Sequence, residues 1–319
     1  MGYIYEMLIV TLIKIFQKMR ILITGATGLI GNELVKLLLS KNHSVYYLTT
    51  SKSKIRSKSN YQGFYWNPEQ GKIDENCIYG VDVIVHLAGA NIAKRWTNNY
   101  KQVIIESRIL SSELIFNLVK KSENKVKQFI SASGIAIYPE SFDKTFDETT
   151  KDTEDSFLSN VVKKWEESAN RFQVLGIKVC KLRTGVVLSR DGGALPEMVT
   201  PIKTGFGAAM GNGKQIQSWI HIKDLVAMYC FAIENQLEGV YNAVTPNPIS
   251  NQELTTVIAK TLKKPIFLPN IPQFILKLLL GEMSYLLFSS KNVSSDKIRQ
   301  TGFQFQFPEI REAIADLYP

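Results

Sequence analysis

Cysteine and histidine are scarce: the 319-residue chain holds three of each. Cys77, Cys180 and Cys230 are too scattered for a disulfide framework or a zinc knuckle, which points to a reducing, cytoplasmic setting. His43, His86 and His221 show no metal-ligand spacing, so no metal is expected. No repeat or low-complexity tract appears, and 45% hydrophobic with 21% charged residues describes an ordinary globular chain. Its length suits one large domain, or a large and a small one. The formal charge of +9 is spread along the chain rather than gathered in one arm, so nucleic acid is not an expected partner.

Long apolar runs are missing too, and no integral membrane span is expected. "MLIVTLIKIF", Met7 to Phe16, falls well short of the ~20 residues a spanning helix needs. It has neither a basic region ahead of it nor a small-x-small cleavage site. Met19 stands directly before the first expected strand. Residues 1–18 therefore read either as an upstream extension from a start assigned too early or as an amphipathic helix on the domain or a membrane surface. "FILKLLLGEMSYLLF", Phe274 to Phe288, is interrupted by Lys277 and Glu282, which predicts a helix buried against a small domain.

From residue 20 onward, apolar runs bounded by turn residues alternate with helical patterns, the signature of βαβ units and a parallel sheet. Strands are expected at 20–24, 44–49, 63–66, 81–87, 128–132, 178–182 and 239–243, with helices near 28–40, 95–121 and 155–175. "VDVIVHLAG" is nearly continuous in apolar residues, as a strand covered on both faces requires. Loops with short helical pieces follow at 190–215, and further helical patterns lie at 251–262 and 273–288.

In "ILITGATGLIGNEL", Gly25, Gly28 and Gly31 give G-x-x-G-x-x-G directly after a strand and at a helix start. The first glycine permits a tight turn, the second lets backbone reach a pyrophosphate, and the third lets helix and strand pack. An NAD site places Asp or Glu about 20 residues further on, against the ribose 2′-hydroxyl. This chain has no acidic residue between Glu33 and Glu69; "TTSKSKIRSK" instead offers Thr50, Ser51, Lys52, Lys54 and Arg56. Hydroxyls and cations suit a 2′-phosphate, so NADP(H) is favoured over NAD(H).

With "HLAG" (86–89) and "SASGIAIY" (131–138), the glycine turn resembles an extended short-chain dehydrogenase/reductase of the nucleotide-sugar epimerase type. "LAGANIAKRWT", "KLRTGVVLSRDGGALPEM", "SWIHIKDLV", "GVYNAVTPNPISNQEL", "LGEM" and "GFQFQFP" are similar to the atypical epimerase-like subfamily with a C-terminal domain of unknown function. Some of its members carry a cell-division-inhibitor label. The resemblance runs from about Met19 to the end. It implies an α/β fold, a Rossmann-type doubly wound parallel sheet with a smaller C-terminal substrate domain. The dinucleotide domain would span 19–185, with 215–245 returning to it, and the substrate side 186–214 and 246–319. By position, Gly25, Thr27, Gly28, Leu29, Ile30 and Gly31 would hold the pyrophosphate. Leu87, Ala88 and Gly89 would line the adenosine and ribose side, and Arg183 with Thr184 would face the nicotinamide and substrate cleft.

The resemblance breaks at the catalytic set. That superfamily uses a Ser, a Tyr, and a Lys four residues after the Tyr, a spacing that sets ammonium beside phenol on one helix face. Ser133 fits the first role, but no tyrosine here has a lysine four residues later. The helix that should carry the pair, "DSFLSNVVKKWEESANRF", offers Val161 and Trp165, or Val162 and Glu166. Tyr138 is a substitute acid or a packing aromatic, and Lys163 and Lys164 face the ribose or solvent. Arg95, Trp96, Trp219, His221 and Asp224 are substrate-cleft candidates, Asp224 equally as a helix cap. Two functions follow. One is an NADP(H)-dependent oxidoreductase or epimerase acting on a small or nucleotide-linked carbonyl or alcohol. The other is a dinucleotide-binding regulator or scaffold with little turnover. A homodimer through paired helices is compatible with either.

Overall fold

The computed structural model describes residues 18–319, and the apolar segment Met7 to Phe16 lies outside them. Seven parallel strands form the centre: β1 (Arg20–Thr24), β2 (Ser44–Thr49), β3 (Tyr61–Asn67), β4 (Val83–His86), β5 (Gln128–Gly134), β6 (Lys178–Thr184) and β7 (Gly239–Ala243). Their spatial order is β3-β2-β1-β4-β5-β6-β7, with short antiparallel pairings of Ser57–Lys58 and Lys72–Ile73 against β3. The order reverses between β1 and β4, and this switch point is where such sheets open a crevice beyond their carboxyl ends. Every residue of β4 is buried, as a strand covered on both faces requires. The sheet is Rossmann-type, with α1 (Leu29–Ser40), α2 (Asn98–Lys121), α3 (Phe157–Asn170), α4 (Ala194–Lys203) and α5 (Ile222–Glu234) around it.

Local sequence explains the helices that frame the crevice. In α1, Gly31, Leu34, Val35 and Leu38 recur at helical spacing and are buried against the core, along with residues of α5. Thr97 caps α2 by accepting from Tyr100 N, and Ser156 caps α3 by accepting from Ser159 N. On the opposite face Phe129 of β5 stacks on Phe172 at 3.8 Å between ring centres, which fixes the end of α3 to the sheet.

The C-terminal part adds α6 (Asn251–Thr261), opened by a Ser250–Glu253 capping box, and α7 (Gln273–Leu280). Residues 190–215 are more regular than a loop reading predicts: α4 occupies ten of them, with Pro201 inside. The expected buried helix at 273–288 is corrected in two ways. It breaks at Gly281, whose φ of 60° ends α7, and no residue of α7 is buried. Among the described residues no helix is long and apolar enough to cross a membrane.

Candidate functional site

The turn between β1 and α1 leaves no room for a side chain at its first and last glycines. Gly25 has φ 70°, and a Cβ on it would lie 3.0 Å from the Leu87 carbonyl carbon. A Cβ on Gly31 would lie 2.2 Å from the Gly25 oxygen. The Gly28 amide donates to the Gly25 carbonyl at 2.9 Å and closes the turn. Gly28 is also the N-cap of α1, with no side-chain cap and no acid in the first turn, so the positive helix end is left for an anion. Thr27 and Gly28 are exposed, and Leu29 and Ile30 half-buried. The Gly192–Gly193 segment approaches Leu29, giving the turn a neighbour across the crevice.

A buried relay fixes the second wall. Thr24 Oγ1 accepts from the amides of Leu87 (3.1 Å) and Ala88 (3.0 Å) and donates to His86 Nδ1 at 2.9 Å. Two incoming amides leave the threonine proton only that acceptor, which assigns the ring proton to Nε2, facing Ser111 Oγ at 3.2 Å. Burial pushes the His86 pKa down to about 4, so the ring is neutral. Beneath the same loop lies Arg108, 8% exposed, its guanidinium 2.9 Å from where a Gly89 Cβ would be. It donates to the Ile104 carbonyl and, at 3.3 Å, to that of Ala90, with the Trp165 ring 4.8 Å away. Burial pulls its pKa down to about 10, which leaves it charged at neutral pH. Neither Thr24 nor Arg108 stood out in the sequence. A threonine closing an apolar strand and an arginine amid "SRILSS" are the only traces they leave there.

At the end of β2, Thr50 and Lys52 are exposed and Ser51 half-buried. Ser51 and Ser53 share a 2.9 Å hydroxyl contact, and Lys52 Nζ lies 5.3 Å from the Tyr65 ring centre. Arg56 donates to the carbonyls of Ser53 and Ile55. Among the described residues none of Lys52, Lys54 and Arg56 forms a salt bridge, so the loop keeps its positive charge.

Ser133, Tyr138 and Arg183 are brought together at the ends of β5 and β6, by a residue that counted in the sequence only as one of two alignments. Ser133 Oγ donates to Glu166 Oε1 at 2.6 Å. Arg183 holds the same carboxylate with two parallel bonds, Nε to Oε1 at 2.8 Å and Nη2 to Oε2 at 2.9 Å. Its Nη1 donates to the Tyr138 hydroxyl at 2.9 Å, which donates in turn to Asn242 Oδ1 at 2.8 Å. Burial pushes the Glu166 pKa up, but the bonds and charge of Arg183 outweigh it and hold the carboxyl ionised. For Tyr138, burial outweighs Arg183 and Asn242 and raises the pKa, so the phenol keeps its proton. Val162 and Glu166 face β5, since Val162 Cγ2 lies 3.5 Å from a Gly134 Cβ position. Trp165 turns instead to Arg108. Val162 and Glu166, four residues apart, thus share the face of α3 turned to β5.

The remaining cleft candidates divide. Trp219 is fully buried and donates to the Asn247 carbonyl. His221, equally buried, caps α5 by accepting from Lys223 N and stacks on Phe307. Asp224 is not the cap; its carboxylate accepts from the amides of Gln306 and Phe307 and fastens the "GFQFQFP" segment. His221 and Asp224 hold the C-terminal segment to α5, and all three side chains are buried. Trp96 does border a cavity of about 570 Å³, with Glu140, Glu154, Phe157, Lys277 and Tyr285. Lys164 is exposed and Lys163 half-buried on α3, and Arg95 is exposed.

A profile described as the NAD dependent epimerase/dehydratase family matches residues 21–243, and one for a domain of unknown function, DUF1731, matches 271–317. Epimerase family protein YfhF of Bacillus subtilis is 35% identical over 300 residues, covering 94% of this chain and 98% of that protein. A Staphylococcus saprophyticus epimerase family protein, SSP1921, is 35% identical over 301 residues, covering 93% and 98%. Among solved structures, the human epimerase family protein SDR39U1 (isoform 2), crystallised with NADPH, superposes with a TM-score of 0.84. It is 29% identical and covers 94% of this chain and 99% of its own. The Thermus thermophilus UDP-glucose 4-epimerase in complex with NAD shares the fold at a TM-score of 0.73 and 19% identity, covering 94% and 99%.

Proposed function

Because the chain belongs to the NAD-dependent epimerase/dehydratase family, we propose that it is an NADP(H)-dependent, epimerase-like oxidoreductase acting on a small or nucleotide-linked carbonyl or alcohol. The observation that carries this reading is the turn at Gly25, Gly28 and Gly31, where backbone conformation and close neighbours disfavour a Cβ at Gly25 and exclude one at Gly31, and the α1 N-terminus stands uncapped. Gly25, Thr27, Gly28, Leu29, Ile30 and Gly31 would hold the pyrophosphate, and Leu87, Ala88 and Gly89 the adenosine and ribose side. Thr50, Ser51 and Lys52, with Arg56 behind them, would take a 2′-phosphate, and this is what favours NADP(H) over NAD(H). A bound nicotinamide supplies or takes up a hydride. Arg183 would act on the nicotinamide side through Ser133 and Tyr138, since its own guanidinium is held by Glu166.

Ser133 and Tyr138 are the proposed proton-handling groups. Tyr138 holds its proton at neutral pH and Arg183 already donates to its oxygen, so it suits the role of acid in carbonyl reduction better than that of base. Glu166 keeps Ser133 oriented toward the end of β5. The test is NADPH oxidation by the purified protein across carbonyl and sugar-nucleotide substrates, repeated with Ser133→Ala and Tyr138→Phe. Turnover that falls at least tenfold in both variants, with NADPH binding retained, supports the reading. No oxidation of NADPH by any substrate contradicts it.

A second reading, a dinucleotide-responsive regulator or scaffold, draws on one observation: every hydroxyl of the Ser133–Tyr138 group already has an internal partner. It predicts NADPH binding with no substrate turnover and no change on Ser133→Ala.

A further inference from the structure

Helix α7 and the strand-like segment before it carry the most exposed apolar surface among the described residues. Phe267 is 70% exposed, Phe274 71%, Leu278 81% and Leu279 65%. Phe274 and Leu278 stand one turn apart on α7, as do Ile275 and Leu279, so the four side chains share one broad face. Segment 206–210 runs beside 267–271 through a parallel bridge of Met210 and Ile271. Exposed Phe206 and Phe267 lie equally far upstream of that bridge. A soluble monomer seldom leaves such a patch uncovered.

The charge around this face identifies its partner. Between Glu253 and Glu282 the chain has no acid, while Lys260, Lys263 and Lys264, just ahead of Phe267, are all exposed. A second copy docked face to face would bring these lysines close to their own copies. Projecting phenylalanines and leucines that follow a run of exposed lysines, with no acid among them, form the pattern of a segment lying in the interface of an anionic bilayer. On the side away from lipid, Gln273, Lys277 and Gly281 border the cavity with Trp96 and Tyr285. We propose that the Phe267–Leu279 face is a peripheral docking surface for an anionic lipid membrane, seated at the rim of that cavity.

Co-sedimentation of the full chain with vesicles tests this, comparing phosphatidylcholine alone with a 7:3 mixture of phosphatidylcholine and phosphatidylglycerol. Binding is expected to the anionic vesicles, weakened by 0.5 M salt, and reduced about tenfold or more in Phe274→Glu/Leu278→Glu. Circular dichroism and NADPH binding should be unchanged in that variant, because neither residue is buried. Absence of binding to both vesicles overturns the proposal. So does anionic-vesicle binding that survives in the variant, which would assign it to another part of the chain. A concentration-dependent dimer abolished by Leu278→Glu without vesicle binding overturns it in favour of a second copy.

Discussion

The turn before α1 and the cluster around Glu166 sit at the same carboxyl rim of the sheet, yet they are built from opposite materials. The turn is backbone: glycines, helix amides and a loop pinned by Thr24, with its donors facing outward. The cluster is side chain: Ser133, Glu166, Arg183, Tyr138 and Asn242 satisfy one another inside the fold. A backbone site tolerates little sequence change, because its shape depends on atoms that every residue carries and on a Cβ that must be missing. A side-chain site can be rebuilt residue by residue. Here the Glu166–Arg183 ion pair, with Ser133, ties two strands and a helix together.

That contrast is broken most forcefully at Glu166. Glu166→Ala leaves the Arg183 guanidinium buried without its carboxylate, and about 3–5 kcal/mol of stability is expected to be lost in urea denaturation. Adding Arg183→Met should return a large part of that loss; no recovery would mean that the pair is not the source. Gly31→Ala acts on the other region. Its methyl overlaps the Gly25 carbonyl, so a stability loss of about 1–3 kcal/mol is expected, with calorimetry showing no further stabilisation by NADPH. Retained NADPH stabilisation would show that the turn has room to spare.

Lys52→Ala/Arg56→Ala should be milder. Exposed cations contribute up to about 1 kcal/mol each, so NADPH affinity is expected to fall roughly tenfold while NADH affinity stays level in fluorescence titration. A separate test is the acid limit of the fold. Burial lowers His86, and likewise His221, to about 4, below the ordinary histidine value of 6.5. The unfolded chain therefore binds protons that the fold refuses, so stability is complete above about pH 6.5 and declines as pH falls toward 4. Removing His86 as His86→Gln should shrink the proton uptake on unfolding at pH 5 by about one.

How much of this was legible beforehand follows the same division. Glycine spacing and the apolar runs are local signals, and they marked the seven strands and the glycine turn between β1 and α1 correctly as elements. The cluster was only half legible. Ser133, Tyr138 and Arg183 were each visible as candidates, but their union depends on a helix phase that sequence spacing left open between Trp165 and Glu166. Trp219, His221 and Asp224 looked like cleft residues because polar and aromatic groups after a strand often are. The C-terminal segment that His221 and Asp224 hold arrives from some 80 residues away, and no local pattern announces it. Helix α7 misled for a simpler reason: its apolar residues predict burial, and the fold leaves them outside.

The central claim is that an intact seat for NADP(H) stands apart from the closed cluster at Ser133. Fluorescence titration of NADPH and NADH against the wild-type chain and Ser133→Ala addresses it directly. The account predicts NADPH bound about tenfold or more tightly than NADH, with both affinities unchanged by Ser133→Ala. Equal affinity for the two dinucleotides, or loss of NADPH binding in the serine variant, would contradict it.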